Sequence, residues 1–275
     1  MTDQAARFDK LAAGYERWWA PVLAPSAVAL LDRLEAPIAG RGGHLLDVGV
    51  GTGNLSIAAL RRWPDIRITG IDASREMVGA VEALVAERLP ASDGDRFEAR
   101  VAFADDLPFG DASIDAAMSS FVLQLVPNRA RTLREIRRVL RPGGTLAYVT
   151  WMGEDRSFAP DRVFDQLLAE VGFEEEPGDG RVGDVPSVAV AIGELRRAGF
   201  RAVEAEAGEL AYAFTVDSYL RFLIEFDAET TFEEMPRDER RRFGATLRER
   251  LMALPAADLT FRAGIVYATG IRSDG

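Results

Sequence analysis

Strand-like runs and amphipathic stretches alternate through the first 150 residues of the chain. The strand-like runs are Leu45–Val48, Arg67–Ile71, Phe97–Phe103, Ile114–Ser120 and Thr145–Trp151, with helical spacing of apolar residues between them. The stretch from Ala130 to Leu140 puts Leu133, Ile136 and Leu140 on one face and is stopped by Pro142-Gly143-Gly144. This alternation predicts a parallel sheet with crossover helices, the α/β doubly wound plan. Ligands of such sheets sit outside the carboxyl ends of the strands, where strand order reverses. Five strand-end segments, 49–54, 72–74, 104–106, 119–121 and 151–153, are therefore expected to meet at one site.

After residue 152 the alternation breaks. A short helical pattern (Val163, Leu167, Leu168, Val171) leads into the Gly- and acid-rich stretch Glu174-Glu175-Glu176-Pro177-Gly178-Asp179-Gly180. Ser187 to Ala198 reads as a helix ended by Gly199, and Ala202–Phe214 and Leu259–Thr269 read as strands. Between those strands lie a helix at Asp217–Phe226, apolar nearly all round, and an amphipathic one carrying Phe243, Leu247 and Leu251. At the other end, Phe8, Leu11, Tyr15, Trp18 and Trp19 form a bulky stripe on an N-terminal helix, a spacing more often seen in cores than in pockets.

The chemistry concentrates at Leu45-Leu46-Asp47-Val48-Gly49-Val50-Gly51-Thr52-Gly53, a strand running into a glycine turn that opens a helix. Glycines at alternate positions allow positive φ and let backbone approach a ligand with no Cβ in the way. Nineteen residues after Gly53 a second strand ends in Asp72, where a nucleotide-binding βαβ unit places the acid that grips ribose hydroxyls. A dinucleotide turn, G-x-G-x-x-G, requires a small residue where Asn54 stands. Asp47 would repel a pyrophosphate and attract a ligand carrying a sulfonium and a free amino group. No G-x-x-x-x-G-K-[ST] is present, and Lys10 is the single lysine.

At these residues the chain resembles the class I S-adenosylmethionine-dependent methyltransferases, in particular their type 11 group of small-molecule methyltransferases. Asp47-Val48-Gly49-Val50-Gly51-Thr52-Gly53 follows the family's D/E-x-G-x-G-x-G loop. Gly70-Ile71-Asp72-Ala73-Ser74, Ala104-Asp105-Asp106-Leu107-Pro108-Phe109 and Leu140-Arg141-Pro142-Gly143-Gly144-Thr145-Leu146 follow in the family's order. The resemblance is close over 40–152 and extends to the rest as architecture. It implies a Rossmann-like seven-stranded, mostly parallel sheet with an antiparallel C-terminal strand pair and helical lid insertions. One methyltransferase domain over 1–275 is expected, with an N-terminal helical cap at 1–40, a cofactor-binding core at 41–152 and lid insertions at 153–186 and 216–256.

S-adenosyl-L-methionine is the implied cofactor. Backbone at Gly49 and Gly51 is expected against its methionine and ribose portions, with Asp47 behind the loop and the Thr52 hydroxyl on offer. Asp72 is expected on the ribose hydroxyls, Ala73 and Met77 on the adenine ring, the Ala104 amide and the Asp105 carboxylate at the adenine edge, and Ser120 at the end of the fourth strand. The chain departs from the family at Phe103, where relatives commonly carry Asp or Asn. The resemblance also implies an N-terminal helix closing over the methionine end, which singles out Tyr15.

Composition narrows the field further. At 275 residues, 48% hydrophobic and 28% charged, the chain has the make-up of an ordinary globular protein, with no apolar run approaching the roughly 20 residues of a membrane span. Its first residues lack a signal-peptide pattern, so a cytoplasmic place is expected. Having no cysteine, it has no disulfide, no thiolate nucleophile and no cysteine-held iron–sulfur cluster. A net charge of −11 disfavours nucleic acid, and the arginines between Arg129 and Arg141 read as a solvated helix face. Where amino-methylating nucleic-acid enzymes of the class carry a Pro-Pro-aromatic motif, Val122-Leu123-Gln124-Leu125 stands.

Methyl transfer from a sulfonium is an in-line displacement that alignment and desolvation can carry. The expected acceptor is a small, largely apolar molecule, methylated at oxygen, nitrogen or carbon. A general base is needed for a hydroxyl acceptor. The only histidine, His44, precedes the first strand, and Gln124 cannot take a proton, which leaves Tyr15, Glu154, Asp155, Glu225 and Asp227 as candidates and the catalytic group unassigned. No metal site is expected. Two other functions stay open: an NAD(P)-dependent oxidoreductase, and a cofactor-binding regulatory protein without turnover.

Overall fold

The computed structural model describes residues 3–153, 158–172 and 183–273. The linker Glu174–Gly180 and the candidates Glu154 and Asp155 lie outside the described residues. Seven strands, β1 (Gly43–Val48), β2 (Ile66–Asp72), β3 (Phe97–Val101), β4 (Ile114–Ser120), β5 (Leu140–Trp151), β6 (Phe200–Ala213) and β7 (Thr260–Arg272), form one sheet in the order β3-β2-β1-β4-β5-β7-β6. Strands β1 to β5 pair in parallel, and β7 runs antiparallel to β5. The order reverses between β1 and β4, so the carboxyl end of β1 is the switch point at which an open α/β sheet presents its crevice. Leu45, Leu46 and Val48 are fully buried there, as a central parallel strand covered on both faces requires.

Apart from single turns, the helices are, in chain order, α1 (Asp3–Trp18), α2 (Ala20–Leu30), α3 (Asn54–Arg62), α4 (Arg75–Arg88), α5 (Arg129–Val139), α6 (Ala159–Val171), α7 (Val188–Arg197), α8 (Val216–Phe222), α9 (Glu229–Glu234) and α10 (Arg237–Met252). Their starts follow local chemistry. Ser74 caps α4 by accepting from the Met77 amide at 3.1 Å, and Asn128 caps α5 by accepting from the Arg131 amide at 3.0 Å. Each such cap satisfies a helix-end donor and contributes about 1 kcal/mol. Helix α5 then lays Leu133, Ile136 and Val139, all fully buried, into the core with Leu46, Val48 and Leu146. Burial of each of these side chains stabilises by roughly 1.5–3 kcal/mol.

Arg131 and Arg134 of this helix are exposed, but Arg129, Arg137 and Arg138 are not part of a solvated face. Arg129 is buried against Glu194, with its Nη1 donating to the Gly183 carbonyl at 3.0 Å. Arg137 donates to the Gly199 carbonyl at 2.9 Å, and Arg138 holds the carbonyls of Leu107 and Phe109 at 3.0 and 2.8 Å. Charge type and helical spacing look the same in a solvated arginine and in one that satisfies a distant loop; only the fold brings the loop carbonyls within reach.

Some element limits differ from those expected. Strand β3 stops at Val101, and β5 starts at Leu140 with a register shift against β4 between Ile114 and Ala116. The helix expected over Asp217–Phe226 is α-helical only to Phe222 and continues as a wider π turn over Leu223–Asp227.

Two compact units can be distinguished, with boundaries inside β6 and β7: the first spans 1–154, 181–208 and 264–275, the second 155–180 and 209–263. The second unit has its own aromatic core. Phe164, Phe232 and Phe243, from α6, α9 and α10, meet with ring centroids 5.7 to 6.1 Å apart. Phe158 packs edge-on to Tyr219 and Phe261, each at 5.6 Å. Within it the Tyr219 hydroxyl donates to Asp161 at 2.6 Å, and burial pushes the Asp161 carboxyl up to about 6. Glu225 and Asp227 also belong to this unit.

Candidate active site

The glycine turn sits at the carboxyl end of β1 and is held from β2. The amides of Gly49 and Val50 both donate to the Ile71 carbonyl at 2.8 Å, and Gly53 closes the turn onto the Val50 carbonyl at 2.9 Å. All three glycines have positive φ, 76° at Gly49, 52° at Gly51 and 88° at Gly53, but they serve different ends. A Cβ at Gly49 would lie 2.2 Å from a Val122 methyl, and one at Gly53 would lie 2.5 Å from a Val81 methyl. Those two glycines let protein pack on protein. At Gly51 a Cβ would meet nothing within 4 Å, so here the missing side chain leaves open space.

Asp72, ending β2, faces the turn. Its Oδ2 accepts from the Gly51 amide at 3.0 Å and its Oδ1 from the Ser74 amide at 2.9 Å. Burial raises its pKa while these backbone donors pull it down. Each carboxylate oxygen keeps a further acceptor direction, so a pair of hydroxyls can still be received. Beside it opens a cleft with about 840 Å³ of non-protein space, its mouth included. Gly49, Gly51, Asp72, Ala73, Ala104, Asp105 and Ser120 line it, with Met77.

A smaller cavity of about 390 Å³ shares Tyr15, Gly49, Gly51 and Ser120 with the cleft and adds Asp47 and Thr52. All nine residues expected at a cofactor site thus border one of two spaces that share four lining residues. Asp47 is buried and accepts from the Ser56 hydroxyl at 2.6 Å; burial drives its pKa up to about 7, with the nearby Asp72 charge adding to the shift. Thr52 is also buried, and its hydroxyl has no hydrogen-bond partner. A buried hydroxyl without a partner and a buried carboxylate, both bordering the smaller space, suit a ligand that is both a donor and a cation, such as the amino group of an amino acid.

Of the five strand-end segments, four border these spaces. The fifth, 151–153, is turned to pairing instead: Met152 donates to the Gly264 carbonyl at 2.9 Å and Gly153 to the Val185 carbonyl at 3.0 Å. It touches the cleft wall only through Trp151, whose ring lies 4.4 Å from Phe121. Phe121 adopts φ 56°, a left-handed conformation rare outside glycine, at the end of β4. The side of the cleft formed by Val122, Leu125, Val126 and Pro127 had no sequence expectation attached, although an apolar run after a strand end was its available signal.

The N-terminal stripe divides between two uses. Phe8 and Tyr15 line the cleft, ring centroids 6.2 Å apart, while Trp18 stacks under Arg17 and Trp19 lies 6.3 Å from Trp151. Asp9, which carried no expectation, accepts from the Ser74 hydroxyl at 2.6 Å and from the Glu76 amide at 3.3 Å, and so ties α1 to the start of α4. Burial and the Asp72 and Glu16 charges push the Tyr15 phenol far above its ordinary range, which disfavours it as a proton acceptor. Gln124 is fully committed, donating to the Phe121 carbonyl at 2.7 Å and accepting from Thr150 at 2.6 Å. His44, expected before the first strand, is the second residue of β1 and meets Thr69 at 2.8 Å, a strand length (roughly 15 Å) from the glycine turn. Among the described residues no group of three or more His, Cys, Asp or Glu side chains is placed to hold a metal ion.

The seven-stranded sheet with its cleft at the switch point has the Rossmann-like methyltransferase fold. Residues 46–148 match the family model described as Methyltransf_11, methyltransferase domain. The chain is similar to the ubiquinone/menaquinone biosynthesis C-methyltransferase UbiE of Geotalea daltonii, 40% identical over 37% of this chain and 43% of the relative. It is likewise similar to the O-methyltransferase cnsE of Penicillium expansum, 31% identical over 68% of this chain and 64% of the relative. The chain thus spans less than two thirds of the length of these relatives. In fold it resembles phosphoethanolamine N-methyltransferase 2 of Haemonchus contortus, solved with S-adenosylhomocysteine, at a TM-score of 0.54 and 18% identity, covering 91% of this chain and 53% of the other.

Proposed function

We propose that the protein transfers a methyl group from S-adenosylmethionine to a small, largely apolar molecule. The observation that carries this reading is the pairing of Asp72 with Gly51 at the switch point, next to the orphaned Thr52 hydroxyl and the buried Asp47. When bound, the cofactor supplies an activated methyl group on a sulfonium. Asp72 would hold the ribose hydroxyls, Thr52 and Asp47 the amino-acid end, Ala73 and Met77 the face of the adenine, and Ala104, Asp105 and Ser120 the remaining edges. Phe8, Tyr15 and the Val122–Pro127 wall would exclude water, which a displacement at a sulfonium requires more than it requires a proton acceptor. A nicotinamide dinucleotide fits worse, because Asp47 would face its pyrophosphate.

The chain leaves the first unit directly after β5 and again within β6, and the unit it builds there carries the aromatic clusters around Phe158 and Phe164. Acceptor choice is assigned to the expected insertions 153–186 and 216–256, and the part of a cap to 1–40, whose Phe8 and Tyr15 line the cleft. Relatives named as acting on quinones and as O-methyltransferases support a small-molecule acceptor. Among the described residues no helix is long and apolar enough to cross a membrane. A cytoplasmic place goes with this reading, since its methyl donor is made inside cells.

The test has two steps. S-adenosylhomocysteine, and not NAD, should raise the melting temperature. Incubation with methyl-labelled S-adenosylmethionine and a small-molecule extract should then yield a labelled product by mass spectrometry. Stabilisation by NAD alone refutes the reading, and tight cofactor binding with no methyl leaving it across extracts would favour a regulatory protein without turnover.

A further inference from the structure

Residues 102–111 leave β3 and form one end of the cleft, yet they have almost no regular structure of their own. Backbone donors and acceptors of such a segment must find partners elsewhere. Here they find them on one stripe of α5, at Arg131, Glu135 and Arg138, spaced four and three residues apart and hence on one helix face. Arg131 Nε donates to the Asp105 carbonyl at 2.9 Å, and its guanidinium lies 3.9 Å from the Asp105 carboxylate. The Leu107 amide donates to Glu135 at 3.1 Å. Arg138 donates to the Leu107 carbonyl at 3.0 Å, to the Phe109 carbonyl at 2.8 Å and to the Asp111 carboxylate at 2.8 Å. Glu135 and Arg138 also pair with each other at 2.8 Å. Every second residue from 105 to 111 is gripped, and Ala102, Phe103, Ala104 and Asp105 are the residues the segment presents to the cleft, with Ala104 and Asp105 where the gripped stretch begins.

We propose that the Arg131–Glu135–Arg138 stripe is the positioning element for base recognition: it fixes the segment so that the Ala104 amide and the Asp105 carboxylate together read a 6-aminopurine. This inference rests on the cofactor reading above and deepens it. Asp105 stands two residues from the Phe103 position at which the resembled family commonly carries its polar group, so its side chain reaches the base edge only if the backbone is held in place. A segment ordered before binding costs the ligand nothing to organise. A loosened one charges that cost to every ligand and, beyond it, loses the preference between an amino and an oxo group at the purine 6-position.

The experiment compares S-adenosylhomocysteine with its 6-oxo analogue S-inosylhomocysteine by calorimetry, on the full chain and on Arg138→Gln and Arg131→Ala. Arg131→Ala removes a half-exposed side chain and serves if Arg138→Gln fails to fold. The wild-type chain should prefer the amino compound at least tenfold. The variants should bind that compound about tenfold more weakly and prefer it less than threefold, and Arg138→Lys should recover part of the preference. Equal weakening of both ligands, which a merely structural stripe would give, overturns the proposal, as does an unchanged preference. Failure of the wild-type chain to bind either ligand would instead strike the cofactor reading itself.

Discussion

Replacing Asp47 by asparagine should stabilise the ligand-free protein at alkaline pH while weakening its hold on a cationic ligand. Asp47 is buried, its one side-chain partner is a neutral serine hydroxyl, and its pKa is raised from 3.8 to about 7. Between those values the folded state keeps a proton that the unfolded state has lost. Stability therefore falls by about 1.4 kcal/mol per pH unit across that window and levels off above it. The full penalty is about 4 kcal/mol, and the part between pH 6 and pH 8.5 is about 1.4 kcal/mol. The Asp47→Asn side chain would keep an acceptor for Ser56 and carry no charge. Urea unfolding of both proteins at pH 6, 7 and 8.5 isolates the effect, because every other titrating group cancels in the difference. The advantage of the variant should grow by about 1.4 kcal/mol from pH 6 to pH 8.5. S-adenosylhomocysteine should reverse the order, its ammonium restoring a partner to the wild-type carboxylate, and its affinity for the wild-type chain should fall as pH drops below 7. A pH-independent difference, or a variant less stable at every pH, would mean that Asp47 is ionised and satisfied by groups already in place.

Three further outcomes test the site. Asp72→Ala should largely abolish S-adenosylhomocysteine binding by calorimetry, since it removes the acceptor of the ribose hydroxyls and leaves the Gly51 and Ser74 amides unpaired; near-normal affinity would take Asp72 out of the site. Gly49→Ala should cost about 2–4 kcal/mol in urea unfolding because its Cβ meets Val122, whereas Gly51→Ala should cost about 1 kcal/mol of backbone strain yet lower ligand affinity more than tenfold. The reverse ranking would show that the ligand does not pass over Gly51. Asp9→Ala should free α1 from Ser74, so that a lysine-specific protease cuts several times faster after the single lysine, Lys10, and S-adenosylhomocysteine should slow that cut in the wild-type chain. Equal cutting rates would show that the Asp9 contact does not hold the helix.

Residues 45–53 and Asp72 determined a great deal without any coordinates. A buried strand, a glycine turn and an acid at a fixed spacing are local along the chain, and local spacing is what a sequence displays. The place of the cleft and the candidates on the glycine turn and at Asp72 followed from it, the parallel core from the alternation of strands and helices, and Ala104, Asp105 and Ser120 only from the family resemblance. Tertiary structure decided what each residue is for. Three glycines that read alike proved to differ: a side chain at Gly49 or Gly53 would strike Val122 or Val81, 28 or more residues away in the chain, while one at Gly51 would meet open space. Arg129, Arg131, Arg137 and Arg138 of α5 read as part of a solvated face and instead reach residues 105–111 and the Gly183 and Gly199 carbonyls, while Arg134 stays exposed. Asp9 drew no notice until the fold set it beside Ser74. Asp47 was legible as a charge, but its raised pKa belongs to burial. Side-chain type and periodicity are written in the chain one residue at a time; partnership and desolvation depend on which distant atoms the fold brings within about 3 Å, and those only the assembled sheet supplies.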